Sequence, residues 1–159
     1  MGGISTVDYA NLSNDSSQPL FNRVLRGQYP PGSTIKPFLG LAALNYGVLN
    51  PFKDLMCPGY FYLQGNPNPY RDWKRGGHGE IDLPGAITES CDVYFYTVAL
   101  KLGIDKIHDF LTAFGFGEPT GLGLMGEQVG VVPSPQWKRK ILHQPWYLGE
   151  TVITGIGQG

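Results

Sequence analysis

No run of about 18 apolar residues occurs in this sequence, so no membrane span is legible, and Met1-Gly2-Gly3 opens onto polar residues without the apolar stretch of a signal peptide. Any membrane anchor is therefore expected outside the chain. Charge of one sign is also lacking: 12 Lys and Arg stand against 13 Asp and Glu, a net charge of -1, and charged residues make up 16%. That balance supplies neither a basic field for nucleic acid nor an acidic disordered tail. Internal repeats and heptads are absent. Cysteine is limited to Cys57 and Cys91, a pair that can be a disulfide, two metal ligands or two buried thiols, and so does not settle the compartment.

Turns and apolar residues are abundant instead. With 159 residues the chain has the length of one domain or part of one, and its 23 Gly and 13 Pro predict a loop-rich scaffold. Its 42% hydrophobic and 13% aromatic content is too apolar for a disordered linker. Residues 4 to 22 read as an irregular entry with a short helix around Val7 to Leu12. Tyr29-Pro30-Pro31-Gly32 forces a turn, after which Ile35, Phe38, Leu39, Ala42 and Ala43 recur at helical spacing up to Gly47. Ser33 therefore begins a buried helix. From Asn50 to Gly79 a long excursion is predicted, with one strand-like stretch, Tyr60 to Leu63, and one hairpin. Pro84 opens a helix, Val93 to Leu102 makes a second ending at Gly103, and Ile104 to Phe114 a third capped by Gly115. The stretch from Phe116 to Trp146 reads mostly as loop.

The first chemical pattern is Ser33-Thr34-Ile35-Lys36. A serine hydroxyl is a weak nucleophile at neutral pH and needs an adjacent base. Three residues apart on a helix, Ser33 and Lys36 share a face, so the amine is expected to reach the hydroxyl, and burial would favour the neutral amine that accepts a proton. The pattern is short, and an N-capping Ser33 with a surface Lys36 is the plain alternative. Context argues for chemistry: Pro31-Gly32 precedes the serine, an apolar helix follows it, and Ser90-Cys91-Asp92 falls at a helix junction downstream. Ser-x-x-Lys, a Ser-Asp-Asn element and Lys-Thr-Gly together mark class A β-lactamases and penicillin-binding proteins.

The longer blocks sharpen this. Asn22-Arg23, Gly27 and Tyr29 through Phe38 resemble the active-site block of class B penicillin-binding proteins. Tyr70-Arg71-Asp72-Trp73-Lys74, Gly77-His78-Gly79, Glu89-Ser90-Cys91-Asp92 with Phe95-Tyr96, and Gly155-Ile156-Gly157-Gln158-Gly159 resemble the elongation-type, penicillin-binding protein 2 branch. The resemblance implies an α+β penicillin-binding protein/serine β-lactamase-like transpeptidase fold, with residues 1-159 covering mainly its helical part and lacking much of the antiparallel sheet. It implies that Ser33 attacks the D-Ala-D-Ala bond of a peptidoglycan stem peptide, releases the last D-Ala, and passes the acyl group to an amine of a neighbouring strand. Lys36 would be general base; Ser90 would shuttle protons or orient Lys36; Asp92 takes the third place of the second motif, often Asn in relatives. β-Lactams would acylate Ser33, and partners would be a glycosyltransferase and the elongation machinery at the periplasmic face of the bacterial inner membrane. No Lys-Thr-Gly or Lys-Ser-Gly occurs, so the third wall of the cleft and turnover by this chain alone are not expected.

Cys57, Asp72, His78 and Cys91 form a candidate metal set, since two thiolates, an imidazole and a carboxylate suit tetrahedral Zn2+. Four protein ligands would make the ion structural, stapling the long loop beside Ser90-Cys91-Asp92. A Cys57–Cys91 disulfide is the alternative, worth roughly 3 to 4 kcal/mol on the chain-entropy account. Asp72 could instead pair with Arg71 or Lys74, and His78 could be a satisfied loop histidine. The run Lys138-Arg139-Lys140 reads as a solvated face, Gly121 to Gly126 lacks the ending of a phosphate loop, and His108 and His143 have no identifiable partners. The competing functions are a β-lactamase or β-lactam sensor, and a zinc-stapled, non-catalytic scaffold of the elongation machinery.

Overall fold

The computed structural model describes residues 3–159; Met1 and Gly2, read with Gly3 as the polar opening of the chain, lie outside the described residues. Helix α5 (Asp92–Leu102) is its axis, because Val93, Tyr94, Phe95, Tyr96, Val98, Ala99 and Leu102 are all buried and leave the helix almost no polar face. A helix that is apolar on every side must be wrapped by others. Around it pack α3 (Lys36–Asn45), α4 (Leu83–Thr88), α6 (Ile104–Ala113) and α8 (Leu148–Thr154). One core results, with Leu39, Phe95, Val98, Ile107 and Val152 fully enclosed. Burying each such side chain contributes roughly 1.5–3 kcal/mol.

The helix boundaries follow local chemistry. Asp82 caps α4 by accepting from Gly85 N at 2.9 Å, and Ser134 caps α7 (Pro135–Leu142) by accepting from Trp137 N at 3.1 Å. α1 (Thr6–Asn14) begins at Ser5, which caps Asp8 N at 3.0 Å, and buries no residue; α2 (Arg23–Arg26) is a single turn. No helix among the described residues is long and apolar enough to cross a membrane.

Two features depart from the sequence reading. The excursion before α4 holds four short strands rather than one hairpin: β1 (Leu55–Cys57) pairs antiparallel with β4 (Gly79–Ile81), enclosing the pair β2 (Tyr60–Phe61) and β3 (Tyr70–Arg71). Strands of two or three residues are too short to display a period of two. The stretch between Phe116 and Trp146, expected as loop, contains α7, whose start signal Ser134-Pro135 is present in the sequence. Lys138 is buried on α7 and pairs with Glu150 of α8, so it does not belong to a solvated face.

Candidate active site and metal cluster

Ser33 lies in a 3-10 turn, Gly32–Ile35, that runs directly into α3. The turn is entered through Gly32 at φ 59°, a left-handed conformation natural to glycine. Gly32 N donates to Gly157 O at 3.0 Å, so the segment after α8 docks onto the serine turn. Gly157 itself has φ 68°, and a Cβ there would strike the Gly32 backbone. The Ser33 side chain stays exposed, whereas Lys36, at the first position of α3, is only 1% exposed. A surface Lys36 is thereby excluded.

Lys36 Nζ has three partners: Ser90 O at 2.8 Å, Ser90 Oγ at 3.0 Å and Asp92 Oδ1 at 2.6 Å. The Ser90 hydroxyl in turn lies 2.9 Å from Ser33 Oγ. Lys36 thus connects to Ser33 through Ser90 rather than by the expected direct bond, because its amine is drawn to the Ser90 carbonyl and the Asp92 carboxylate at the junction of α4 and α5. Ser90 is held at φ 53°, a left-handed conformation costly for a residue with a Cβ and concentrated at functional sites. That kink between α4 and α5 turns both the carbonyl and the hydroxyl of Ser90 toward Lys36. Ser33, Trp73, Ser90, Asp92, Ile156 and Gln158 line one cleft of about 380 Å³.

Asp92 opens α5 and is shared between two elements. Its Oδ1 faces Lys36, and its Oδ2 accepts from Trp73 N at 3.2 Å. Trp73 also donates Nε1–H to Glu89 O at 3.0 Å. The Trp73 wall of the cleft was not among the residues the sequence singled out as functional; a tryptophan set in a polar, glycine-rich loop was the available signal.

Behind this wall the four residues of the metal set converge. Cys57 ends β1, Asp72 follows β3, His78 precedes β4 and Cys91 caps α5 by accepting from Tyr94 N at 3.4 Å. One ligand atom from each lies within 4.8 Å of all the others. Cys57 Sγ is 3.5 Å from Asp72 Oδ2 and 3.5 Å from His78 Nδ1, Cys91 Sγ is 3.4 Å from Asp72 Oδ2, and His78 Nδ1 is 3.6 Å from Asp72 Oδ1. A tetrahedral zinc shell places ligand atoms about 3.3–3.8 Å apart; the donor types suit it, and the four pair distances just given fall in that range. His78 Nε2 is buried without a hydrogen-bond partner among the described residues. Both thiols are free and buried, so the disulfide alternative is not what the structure forms, and Asp72 faces the thiols, His78 and the Lys74 backbone N–H without an ion pair to Arg71 or Lys74 among the described residues.

Electrostatics ties the cluster to α5. Burial works to raise the Asp72 carboxyl, but N–H groups of Val93 and Lys74 and the thiols of Cys91 and Cys57 outweigh it and hold the group below its ordinary value. Burial foremost, with Cys57 and the Asp72 charge adding to it, pushes the Cys91 thiol well up against a pull down from Tyr94 N–H. A bound divalent cation would supply the charge that both thiolates need.

Residues 4–158 match the family model of the penicillin binding protein transpeptidase domain. The chain is 46% identical over 157 residues to the peptidoglycan D,D-transpeptidase MrdA of Haemophilus influenzae, covering 99% of this chain and 24% of that protein. Against the MrdA protein of Escherichia coli K12 the identity is 44%, with 99% and 25% covered. The chain thus spans about a quarter of the length of the curated relatives it matches. The crystal structure of Pseudomonas aeruginosa PBP2 in complex with WCK 5153 superposes with a TM-score of 0.93 at 51% identity, covering 99% of this chain and 34% of that one. PBP2 of Helicobacter pylori in complex with MreC gives 0.91 at 42%, covering 99% and 29%.

Proposed function

The chain belongs to the penicillin-binding protein transpeptidase family, and from that membership we propose that it carries the nucleophile side of a peptidoglycan D,D-transpeptidase active site, with Ser33 as the acylated residue. The observation that supports this reading is the continuous path from Ser33 Oγ through Ser90 Oγ to Lys36 Nζ, at 2.9 Å and 3.0 Å. Lys36 Nζ bonds Ser90 O, Ser90 Oγ and Asp92 Oδ1; to act as base it would turn a lone pair toward Ser90 Oγ and donate to the other two.

As Ser33 Oγ bonds to the penultimate D-Ala carbonyl carbon, its proton moves to Ser90, and the Ser90 proton moves to Lys36. The peptide C–N bond breaks, and the departing D-Ala nitrogen takes a proton back along the same path. An amine of a second stem peptide then attacks the ester. The C–Oγ bond breaks, the new amide forms, and Ser33 regains its proton. Asp92 positions Lys36 by pairing with the amine while Trp73 N–H fixes its other oxygen.

A β-lactam presents a strained amide to the same nucleophile and would acylate Ser33. Among the described residues the carboxylate lining the cleft is Asp92, and both its oxygens are engaged, so it is not free to activate a deacylating water. Cys57, Asp72, His78 and Cys91 would hold a structural Zn2+ that fixes the Trp73 loop against the start of α5. Within the whole protein, residues 1-159 would be part of one transpeptidase domain. It would work at the periplasmic face of the bacterial inner membrane with a glycosyltransferase and elongation partners, in keeping with the Helicobacter pylori PBP2–MreC complex. Incubating the full-length protein with benzylpenicillin and mapping the adduct by mass spectrometry tests the reading: the penicilloyl group is expected on the Ser33 peptide, and its absence would favour a non-catalytic scaffold.

A further inference from the structure

Two cavities meet at Trp73. One is the Ser33 cleft; the other, of about 440 Å³, is lined by Gly59, Tyr60, Arg71, Asp72, Trp73 and Arg75. Trp73 separates them as a fixed plate. Its backbone N–H and indole N–H are both bonded, and its ring meets His78 at 5.7 Å with an interplanar angle of 65°. Yet the residue is 61% exposed, an uncommon cost for a large aromatic held so firmly.

The second cavity is cationic and lacks an internal counter-charge. Arg71 and Arg75 are exposed, and neither takes part in an ion pair among the described residues. The one acid in the wall, Asp72, is buried with its oxygens turned to the thiols, His78 and the N–H groups of Lys74 and Val93. Both arginines stand on fixed backbone. Arg71 lies in β3 opposite Tyr60, and its carbonyl accepts from Tyr96 Oη at 3.0 Å. The Arg75 carbonyl packs so closely on Gly59 that a Cβ there would lie 2.5 Å from it.

We propose that this cavity is a carboxylate subsite, in which Arg71 and Arg75 hold a free side-chain or internal carboxylate of the peptide engaged at Ser33 after it crosses the face of Trp73. A guanidinium matches a carboxylate with two parallel N–H bonds, and at about 3.3 Å per extended residue one or two residues cross an indole ring. The proposal rests on the peptide-acylation reading of Ser33. The carboxylate belongs either to the peptide that acylates Ser33 or to the one whose amine receives the acyl group.

The test uses the full-length protein in two arms. In the first, the rate of D-Ala release is compared for a D-Ala-D-Ala stem peptide with its internal carboxylate free and with that carboxylate amidated. In the second, transfer of one acyl group is compared between acceptor peptides that differ in the same way. Wild type is expected to prefer the free carboxylate by about tenfold in at least one arm, as a charge-assisted pair gives. That preference should collapse to about unity in R71Q/R75Q and return in part in R71K/R75K. Each preference is a ratio within one variant, so a reduced active fraction cancels. No preference in either arm, or a preference unchanged in R71Q/R75Q, overturns the subsite. If wild type also forms no penicilloyl adduct at Ser33, the transpeptidase reading fails and takes the subsite with it; a normal adduct with no carboxylate preference sinks the subsite alone.

Discussion

Ser90 Oγ stands 2.9 Å from Ser33 Oγ and is the side chain through which the Lys36 amine reaches the proposed nucleophile. The relationship depends on the left-handed backbone of Ser90, which no short motif encodes.

Removing the relay hydroxyl should therefore slow acylation while leaving the fold intact. Ser90→Ala is expected to lower the rate of β-lactam acylation by roughly 10²–10⁴, the range of a positioned proton carrier. Stopped-flow acylation alongside a thermal melt checks this. An unchanged rate would mean that the proton leaves Ser33 by another route.

Asp92 offers a stability prediction. Lys36 and Asp92 are 2% and 15% exposed in their side chains, and Asp92→Ala leaves a buried amine without its carboxylate and Trp73 N without its acceptor. Breaking such a pair costs about 3 kcal/mol. Urea unfolding should show that loss, and a change within about 0.5 kcal/mol would contradict the pairing.

How far the sequence reveals all this varies by element. Ser33 and Lys36 were named from their spacing and Ser90 and Asp92 chiefly from the family resemblance, and the structure brings all four side by side. α5 and α6 were legible because long apolar stripes with glycine stops dominate local propensity. Cys57, Asp72, His78 and Cys91 could be named as a set, but their convergence is created by two strand pairs too short to leave a pattern. The partners of Lys36 were not legible from its local spacing, because its amine bonds Ser90 and Asp92, 54 and 56 residues away at a helix junction. Lys138 was misread because burial of a lysine depends on a partner, Glu150, twelve residues away on another helix.

The metal cluster predicts composition. Purified full-length protein should carry about one Zn2+ per chain. Chelation should lower its melting temperature and make Cys57 and Cys91 reactive to a thiol reagent, while Cys91→Ser should abolish stoichiometric zinc. Protein free of zinc by elemental analysis, with a melting temperature indifferent to chelator, would contradict the site.

Asp72 also predicts a pH dependence in the metal-free protein. Its folded carboxyl is held below its ordinary value, so its contribution is fully present above that ordinary value and lost as pH falls through the folded one. The stability gap between wild type and Asp72→Asn should shrink as pH falls below about 4. A gap that widens below about pH 4 would reverse the sign of the argument.

The most direct test of the central claim follows the acyl group itself. Full-length protein is mixed with a D-Ala-D-Ala stem peptide and an acceptor amine, and free D-Ala, the Ser33 peptide and the cross-linked product are quantified together. The account predicts an acyl adduct confined to Ser33, one D-Ala released per acyl group transferred, and loss of all three signals in Ser33→Ala. D-Ala release or cross-linking that persists in Ser33→Ala would contradict it.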